Sequence, residues 1–258
     1  IGILGAEPWS DSLRKEIERL HVEGGRVDGD VEMRLPLPAG TSSGRLPNPD
    51  FLRVSLSLRN GFAKPDFFPY YVHGITGGFN VSLDEMVITS PLTGWHGKGT
   101  AKVTGRIGLS SRRRGSELII EADDISVDQE LDQALAAADE EVYAAWKRCA
   151  LRGGTLDAAV TIRGSFSRRE ELEWAARLSF DGCRGTYSDH PYTLTGLTGR
   201  VDVRPAKISF DNVTGWHGDA TFQITGWLDP REDRREMNLR IRGTKVKLDD
   251  DLAAALDP

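Results

Sequence analysis

The stretch Thr93-Gly94-Trp95-His96-Gly97 occurs a second time in this chain, as Thr214-Gly215-Trp216-His217-Gly218. The first copy starts at residue 93 and the second at residue 214, a spacing of 121 residues. Upstream, Gly74-Ile75-Thr76-Gly77 returns 122 residues later as Gly196-Leu197-Thr198-Gly199. Strands keep their facing while turns absorb changes of length, so a one-residue difference in a turn explains the change in spacing. The sequence therefore predicts two tandem copies of one unit, 1–138 and 139–258.

Composition narrows the class of protein. Of the 258 residues, 28% are charged and 39% are hydrophobic, which is typical of a soluble folded chain. The net charge of −6 argues against a nucleic-acid partner, because binding phosphates requires a clustered Lys/Arg surface. The two cysteines, Cys149 and Cys183, have no cysteine at the equivalent positions of the first unit, so no disulfide is predicted.

Hydrophobic periodicity predicts the secondary structure of each unit. In the first unit Leu13, Ile17 and Leu20 fall on one helical face, and in the second Val142, Trp146 and Cys149 do the same before Gly153-Gly154. About six short stretches with period-2 alternation follow in each unit, and turn residues separate them. Asp128 and Asp249 are predicted to cap a closing helix. The fold class is therefore mainly β with short helices, an antiparallel meander repeated twice.

Two further expectations concern the strands. Pro69 and Pro191 predict an edge or bent strand, because proline cannot donate to a sheet ladder. The alternation also gives every strand one apolar side, so we expect a one-sided sheet that folds over as an open sandwich or lines a groove. Ten apolar residues are predicted to share that side: Val54, Leu56, Val81, Val103, Ile120, Ala176, Leu178, Val203, Ile224 and Ile241.

The repeated Trp95-His96 and Trp216-His217 pairs are the most tempting catalytic or metal-binding residues, since histidine serves both roles. Each histidine precedes a glycine in a predicted hairpin turn, and the sequence shows no ligand partner at metal spacing and no repeated carboxylate aimed at it. We interpret the pairs as structural turns and expect that replacing His96 and His217 with Gln leaves folding nearly intact. No metal, cofactor or nucleotide site is predicted.

Clusters of arginine recur at one predicted hairpin tip in each unit. A solvated tip is the simpler interpretation, and contact with anionic lipid headgroups is the alternative. The residues are Arg112, Arg113, Arg114, Arg231, Arg234 and Arg235.

The order of elements resembles that of AsmA-like and TamB-like bacterial envelope proteins. The resemblance rests on a Gly-Leu-Thr-Gly stretch, a hairpin, a Thr-Gly-x-His-Gly turn and an Asp-capped Ala/Leu helix, from Gly196 to Leu252 and again in the first unit. It implies a large parent protein anchored in the inner membrane, with repeated one-sided β-sheet that forms a periplasmic groove for lipid acyl chains. The helices predicted between Leu131 and Arg152 depart from this pattern and argue against one uninterrupted groove.

Two classes of function remain open at this point. The first, favoured by the resemblance, is a non-enzymatic lipid-handling segment whose partners are acyl chains and neighbouring repeats of the same parent chain. The second is a structural or polysaccharide-binding β-repeat with a closed core, in which exposed tryptophans stack on sugars. Because the chain starts without Met and each unit ends where another would begin, we also expect an internal window of a longer array.

Overall fold

A computed structural model describes residues 21–35, 50–110, 115–138, 140–165, 171–188, 190–229 and 236–256 of the chain. Its strands are β1 (Val22–Glu23), β2 (Arg26–Arg34), β3 (Phe51–Ala63), β4 (Val72–Ser82), β5 (Glu85–His96), β6 (Gly99–Gly108), β7 (Ser116–Ser126), β8 (Thr155–Gly164), β9 (Glu173–Tyr187), β10 (His190–Arg204), β11 (Lys207–His217), β12 (Ala220–Leu228) and β13 (Met237–Thr244). The helices of the described residues are α1 (Gln129–Ala138), α2 (Glu140–Cys149) and α3 (Asp250–Leu256).

All of these strands belong to one antiparallel sheet in which neighbours in sequence are neighbours in space. Strands β1 and β2 both pair with β3, so they are two segments of one edge strand interrupted at Gly24-Gly25. The predicted antiparallel meander is confirmed, and the sheet is open because its first and last strands do not pair with each other.

The strands are longer than the short ones predicted, and β9 and β10 reach 15 residues each. The Gly196-Leu197-Thr198-Gly199 stretch lies inside β10. The pairing of β10 with β9 shifts register on both sides of Leu197. Such irregularities let a strand pass through glycine-rich sequence without ending.

The prediction of an edge or bent strand at the two prolines is wrong for Pro69, whereas at Pro191 the strand is not an edge but is irregular, as a bent strand would be. Pro69-Tyr70 precedes β4 and lies in no strand, whereas Pro191 lies within β10, between β9 and β11. A proline is tolerated at this interior position because the ladder is irregular there, with a register shift between His190 and Thr193.

The helix pair does not interrupt the sheet. Strands β7 and β8 pair from Ser116 to Ser126, so the ladder continues across the predicted boundary between the units. Helices α1 and α2 follow β7 at one end of the sheet, and α3 follows β13 at the same end. We call this the helical end, and the opposite end the loop end.

Capping explains where two of the helices begin. The Asp128 carboxylate accepts hydrogen bonds from the backbone amides of Glu130 and Leu131, at 3.0 and 3.1 Å. Asp249 accepts one from Leu252 at 3.1 Å. Both aspartates therefore act as the predicted N-caps. The helix predicted over Leu13 to Leu20 lies outside the described residues.

The buried core consists of two clusters on one side of the sheet. The larger one, at the helical end, includes Leu131 and Ala134 of α1 packed with Leu156, Leu197 and Val213 of the sheet. The smaller one is formed by Leu52, Val54 and Val81, with Met86 and Leu109 packed against it.

Candidate functional site

A row of apolar side chains crosses the sheet at right angles to the strands. Its members face one another pair by pair across β6 to β13. Eight strands spaced about 4.8 Å apart make this row about 34 Å long. We call it the central row, and it consists of Val103, Ile120, Val160, Ala176, Val203, Ile208, Leu228 and Met237.

The register places all ten residues predicted to share an apolar side on the side of the central row. Val103, Ile120, Ala176 and Val203 belong to the row itself, and Leu178 lies two residues from Ala176, which preserves facing. Ile224 lies four residues from Leu228 and pairs with Ile241. Val54 and Leu56 lie two residues apart on β3, and Val54 pairs with Val81. Val81 pairs with Met86, and Met86 pairs with Ile107 on β6. We call this side the apolar face.

Coverage of the apolar face is uneven. Val54 and Val81 are buried, at 2% and 3% exposed, whereas Ile241 on the last strand is 60% exposed. Val103, Ile120, Val160 and Ala176, at the centre, are half-buried and belong to neither of the two clusters of the described residues. The helices cover the apolar face at the helical end and leave its middle accessible.

The opposite face of the sheet is polar. Ion pairs bridge adjacent strands there, including Lys102 Nζ to Glu121 Oε2 at 2.7 Å and Arg163 Nη2 to Glu117 Oε1 at 2.8 Å. These charges lie on positions that alternate with the apolar face, so the sheet has one dry side and one solvated side.

His96 lies on the apolar face at the helical end and makes three contacts. Its Nδ1 is 2.7 Å from the backbone oxygen of Tyr71, and its Nε2 is 2.8 Å from Oε2 of Glu130 in the first turn of α1. Its ring lies against the ring of Tyr70, with centroids 4.2 Å apart. Both polar partners are acceptors, and the histidine ring is the donor to them.

His217 repeats this arrangement at the end of β11. Its Nδ1 is 2.9 Å from the backbone oxygen of Thr193, and its Nε2 is 3.5 Å from Oδ2 of Asp251 in the first turn of α3. Its ring stacks on Tyr192 with centroids 4.1 Å apart. We call the two arrangements the His96 clasp (Tyr70, His96, Glu130) and the His217 clasp (Tyr192, His217, Asp251).

The expectation that no repeated carboxylate is aimed at the histidines is therefore wrong. Glu130 and Asp251 each stand two residues after the capping aspartate, and they are 121 residues apart. Their spacing equals that of the two histidines, and this shared offset was the available signal. What the clasps do is join the end of a strand to the start of a helix.

The acids around each clasp also act on its tyrosine. Burial, together with the nearby Asp128 and Glu130 carboxylates, raises the pKa of Tyr70 to about 12. Burial and the carboxylates of Asp249 and Asp251 likewise raise the pKa of Tyr192. The Tyr70 hydroxyl is buried and has no hydrogen-bond partner among the described residues. Neither phenol is activated for chemistry, because a raised pKa keeps it neutral.

The two repeated tryptophans lie on the polar face. Trp95 is 49% exposed and stacks on His73 with centroids 4.7 Å apart, and Trp216 is 43% exposed. Each ring lies over a glycine of positive φ, Gly74 beneath Trp95 and Gly196 beneath Trp216. These glycines are required because a Cβ would stand 2.6 Å from Trp95 Nε1 and 2.5 Å from Trp216 Cε3.

Other candidate sites can be placed against the described residues. All six arginines proposed for headgroup contact lie outside them, Arg112, Arg113 and Arg114 between β6 and β7, and the others between β12 and β13. Within the described ranges, no cluster of His, Cys, Asp and Glu is arranged to hold a metal ion. No helix of those ranges has the length and apolar character needed to cross a bilayer.

Comparison with protein-family models, curated proteins and solved structures gave no match.

Proposed function

We propose that this chain is a non-enzymatic segment of an envelope-biogenesis protein, and that the middle of its apolar face binds lipid acyl chains. The observation that carries the proposal is the set of half-buried residues Val103, Ile120, Val160 and Ala176. They lie side by side on four paired strands and belong to neither buried cluster. Contiguous accessible apolar surface of this kind marks binding sites.

The physical driving force is burial of methylene groups. Transfer of each CH₂ from water to an apolar surface contributes about 0.8 kcal/mol, so several carbons along the central row offset the ordering cost of a flexible chain. The row runs across the strands, so an acyl chain in it contacts one side chain per strand. The polar face and its ion pairs stay in water.

The two-unit organisation, 1–138 and 139–258, forms part of the proposal. It is supported by the two clasps, each of which combines a tyrosine, a histidine and an acid, at offsets of 121 or 122 residues. It is also supported by the pairing just before the first long strand of each unit: Glu23 pairs with Phe62 at the edge of the sheet, and Arg152 bridges to Arg184 in its interior. In both cases a double glycine follows before the next strand, Gly24-Gly25 and Gly153-Gly154. Location in the bacterial periplasm, in a parent protein anchored to the inner membrane, follows only from the resemblance.

Neighbouring residues of β7 provide a matched test. Ile120 lies in the central row, and Ile119 is an isoleucine on the polar face of the same strand, 39% exposed. A photo-reactive amino acid at Ile120 should cross-link to a radiolabelled diacyl phospholipid, whereas the same probe at Ile119 should not. A second pair, Leu178 and Ser179, repeats the comparison on β9 with two half-buried positions.

We expect native mass spectrometry to detect lipid that co-purifies with the unsubstituted chain. Ile120→Asp should abolish this co-purification, while Ile119→Asp should preserve it. Equal cross-linking from both faces would mean adsorption to the surface and would count against the proposal. Lipid-free protein that dimerises, and that Ile120→Asp renders monomeric, would assign the apolar face to protein contact instead.

The polysaccharide-binding alternative retains one specific observation in its favour, the exposure of Trp95 and Trp216 on the polar face. Aromatic rings that are half exposed can stack on sugar rings. If this is the function, Trp95→Ala and Trp216→Ala should each weaken retention on a polysaccharide affinity gel while Ile120→Asp has no effect.

A further inference from the structure

The two edges of the sheet lack a strand partner on their outer sides in the part of the chain that the structure describes. Strand β2 pairs only with β3, and β13 pairs only with β12, among the described residues. Each edge therefore has a row of backbone N–H and C=O groups without a strand partner. Natural sheets protect such edges with proline, bulges or mixed charge, because an open edge templates pairing with another chain. Neither β2 nor β13 contains a proline.

Both edge strands expose large apolar side chains. On β2, Val27 and Val31 are 57% and 50% exposed, and on β13, Met237 and Ile241 are 65% and 60% exposed. Their registers, with Val31 opposite Val54 and Ile241 opposite Ile224, place these side chains on the apolar face. The apolar face therefore runs to both edges without a polar border.

On the polar face the middle of each edge strand carries charges of opposite sign, and β2 also has Arg26 and Arg34 at its two ends. In β2, Asp30 and Glu32 flank Val31. In β13, Arg240 and Arg242 flank Ile241. None of these four charged groups forms an ion pair within the described residues, although Asp28 at the same edge is paired with Arg59. The acidic pair is at one end of the sheet and the basic pair at the other.

The junction inside the chain shows how such edges fit. There, β7 and β8 pair with Ile120 opposite Val160. Ile120 is itself opposite Val103, as Ile241 is opposite Ile224. Val160 is opposite Ala176, as Val31 is opposite Val54. The strands that flank the internal junction thus have the same registers as the strands at the two open edges.

We infer that β13 of one chain pairs antiparallel with β2 of a second copy of this chain, with Ile241 opposite Val31. This register also puts Arg242 opposite Asp30 and Arg240 opposite Glu32, so both ion pairs form together. In an antiparallel meander β2 and β13 run in opposite directions, so the second copy adds with its helical end and its apolar face aligned with the first. The inference does not depend on lipid binding.

Charge also decides against symmetric pairing. Two β2 edges paired with Val31 opposite Val31 would place Asp30 against Glu32 twice, and two β13 edges paired with Ile241 opposite Ile241 would place Arg240 against Arg242 twice. Like charges directly opposite each other on adjacent strands are destabilising. The contact is therefore head-to-tail, and each copy added to the sheet leaves one β2 edge and one β13 edge free for the next copy.

A mixed cross-linking experiment tests the register. Chains carrying Val31→Cys are mixed with chains carrying Ile241→Cys and oxidised. Neither variant alone can form a disulfide between positions 31 and 241. We expect a covalent dimer at a yield about tenfold above that of Val27→Cys mixed with Ile241→Cys. Val27 is the matched control because it lies on the same strand and face, with nearly the same exposure as Val31. The unsubstituted chain controls for Cys149 and Cys183.

A charge exchange tests the specificity independently of any cysteine. Arg240→Glu with Arg242→Glu should weaken self-association, measured by sedimentation, by about tenfold. Adding Asp30→Arg and Glu32→Arg to the same chain should restore association between exchanged chains but not with unsubstituted chains. Circular dichroism verifies that each variant is folded.

Three outcomes would overturn the inference. The first is an unsubstituted chain that stays monomeric at the highest soluble concentration. The second is an equal disulfide yield from Val27→Cys and Val31→Cys, and the third is self-association that does not change in the charge-exchanged variants. If association persists without charge dependence and is lost in Ile120→Asp, the contact is through the apolar face and not through the edges.

Discussion

His96 Nε2 lies 2.8 Å from Glu130 Oε2, and this contact joins the end of β5 to the first turn of α1. The histidine side chain is 16% exposed and lies against the ring of Tyr70, whereas the Glu130 side chain is 61% exposed, so only the histidine end of the contact is shielded from solvent. The corresponding distance from His217 to Asp251 is 3.5 Å, with the histidine 27% exposed. The two clasps therefore consist of the same kinds of contact, and the contact between histidine and carboxylate is shorter in the His96 clasp.

His96→Gln should lower the free energy of unfolding by about 1–2 kcal/mol, because a glutamine amide cannot reach both the Tyr71 carbonyl and the Glu130 carboxylate. This differs from the near-neutral effect expected from the sequence. His217→Gln is the matched control and should cost less, since its carboxylate contact is longer. Urea denaturation of both variants measures the difference in the free energy of unfolding. Equal or negligible losses of stability would show that the clasps contribute no more than ordinary turns.

Tyr70→Phe should remove part of the alkaline sensitivity of the fold. The phenol has an unfolded pKa of 10.0 and a folded pKa of about 12. Above pH 10 the unfolded state releases the proton while the folded state keeps it, so stability falls as pH rises from 10 to 12. The phenylalanine variant lacks this proton and should lose less stability over that window. Parallel slopes in urea melts at successive pH values would contradict the prediction.

The two thiols should react slowly in the folded protein. Burial raises the pKa of Cys149 to about 11, and burial also raises that of Cys183, which is fully buried with Sγ 3.4 Å from the backbone oxygen of Thr155. At pH 8 the thiolate that attacks a disulfide reagent is therefore scarce. We expect full reaction with such a reagent only after addition of urea. Cys149→Ser identifies which thiol any residual reaction belongs to.

Gly196→Ala should destabilise the fold by more than Gly218→Ala. Both glycines have nearly the same positive φ, 58° and 55°, so the backbone strain of alanine, about 1 kcal/mol, is common to both. A Cβ at Gly218 meets nothing within 4 Å, whereas at Gly196 it collides with the ring of Trp216. The difference between their thermal unfolding midpoints isolates the contact with the tryptophan, and identical midpoints would show that the ring moves aside freely.

Much of the local structure was predictable from the sequence. The alternation of apolar and polar residues predicted which side of each strand is apolar, because side chains alternate strictly along a strand. The caps at Asp128 and Asp249 were predictable because a capping side chain bonds amides within its own first turn. The turns between consecutive strands were predictable for the same reason, since they involve only neighbouring residues.

The sequence by itself determined the facing of each strand, the caps and the spacing of the repeated stretches, all of which depend on interactions within a few residues. Tertiary structure alone decided that β7 pairs with β8 past a pair of helices, because a ladder between segments so far apart depends on the whole sheet. It alone decided that the strands of the described residues form one open sheet whose apolar face is covered at the helical end and accessible in its middle, since periodicity shows which way a side chain points and not what covers it. It also brought Glu130 to His96, a contact between two elements whose separation no local pattern encodes.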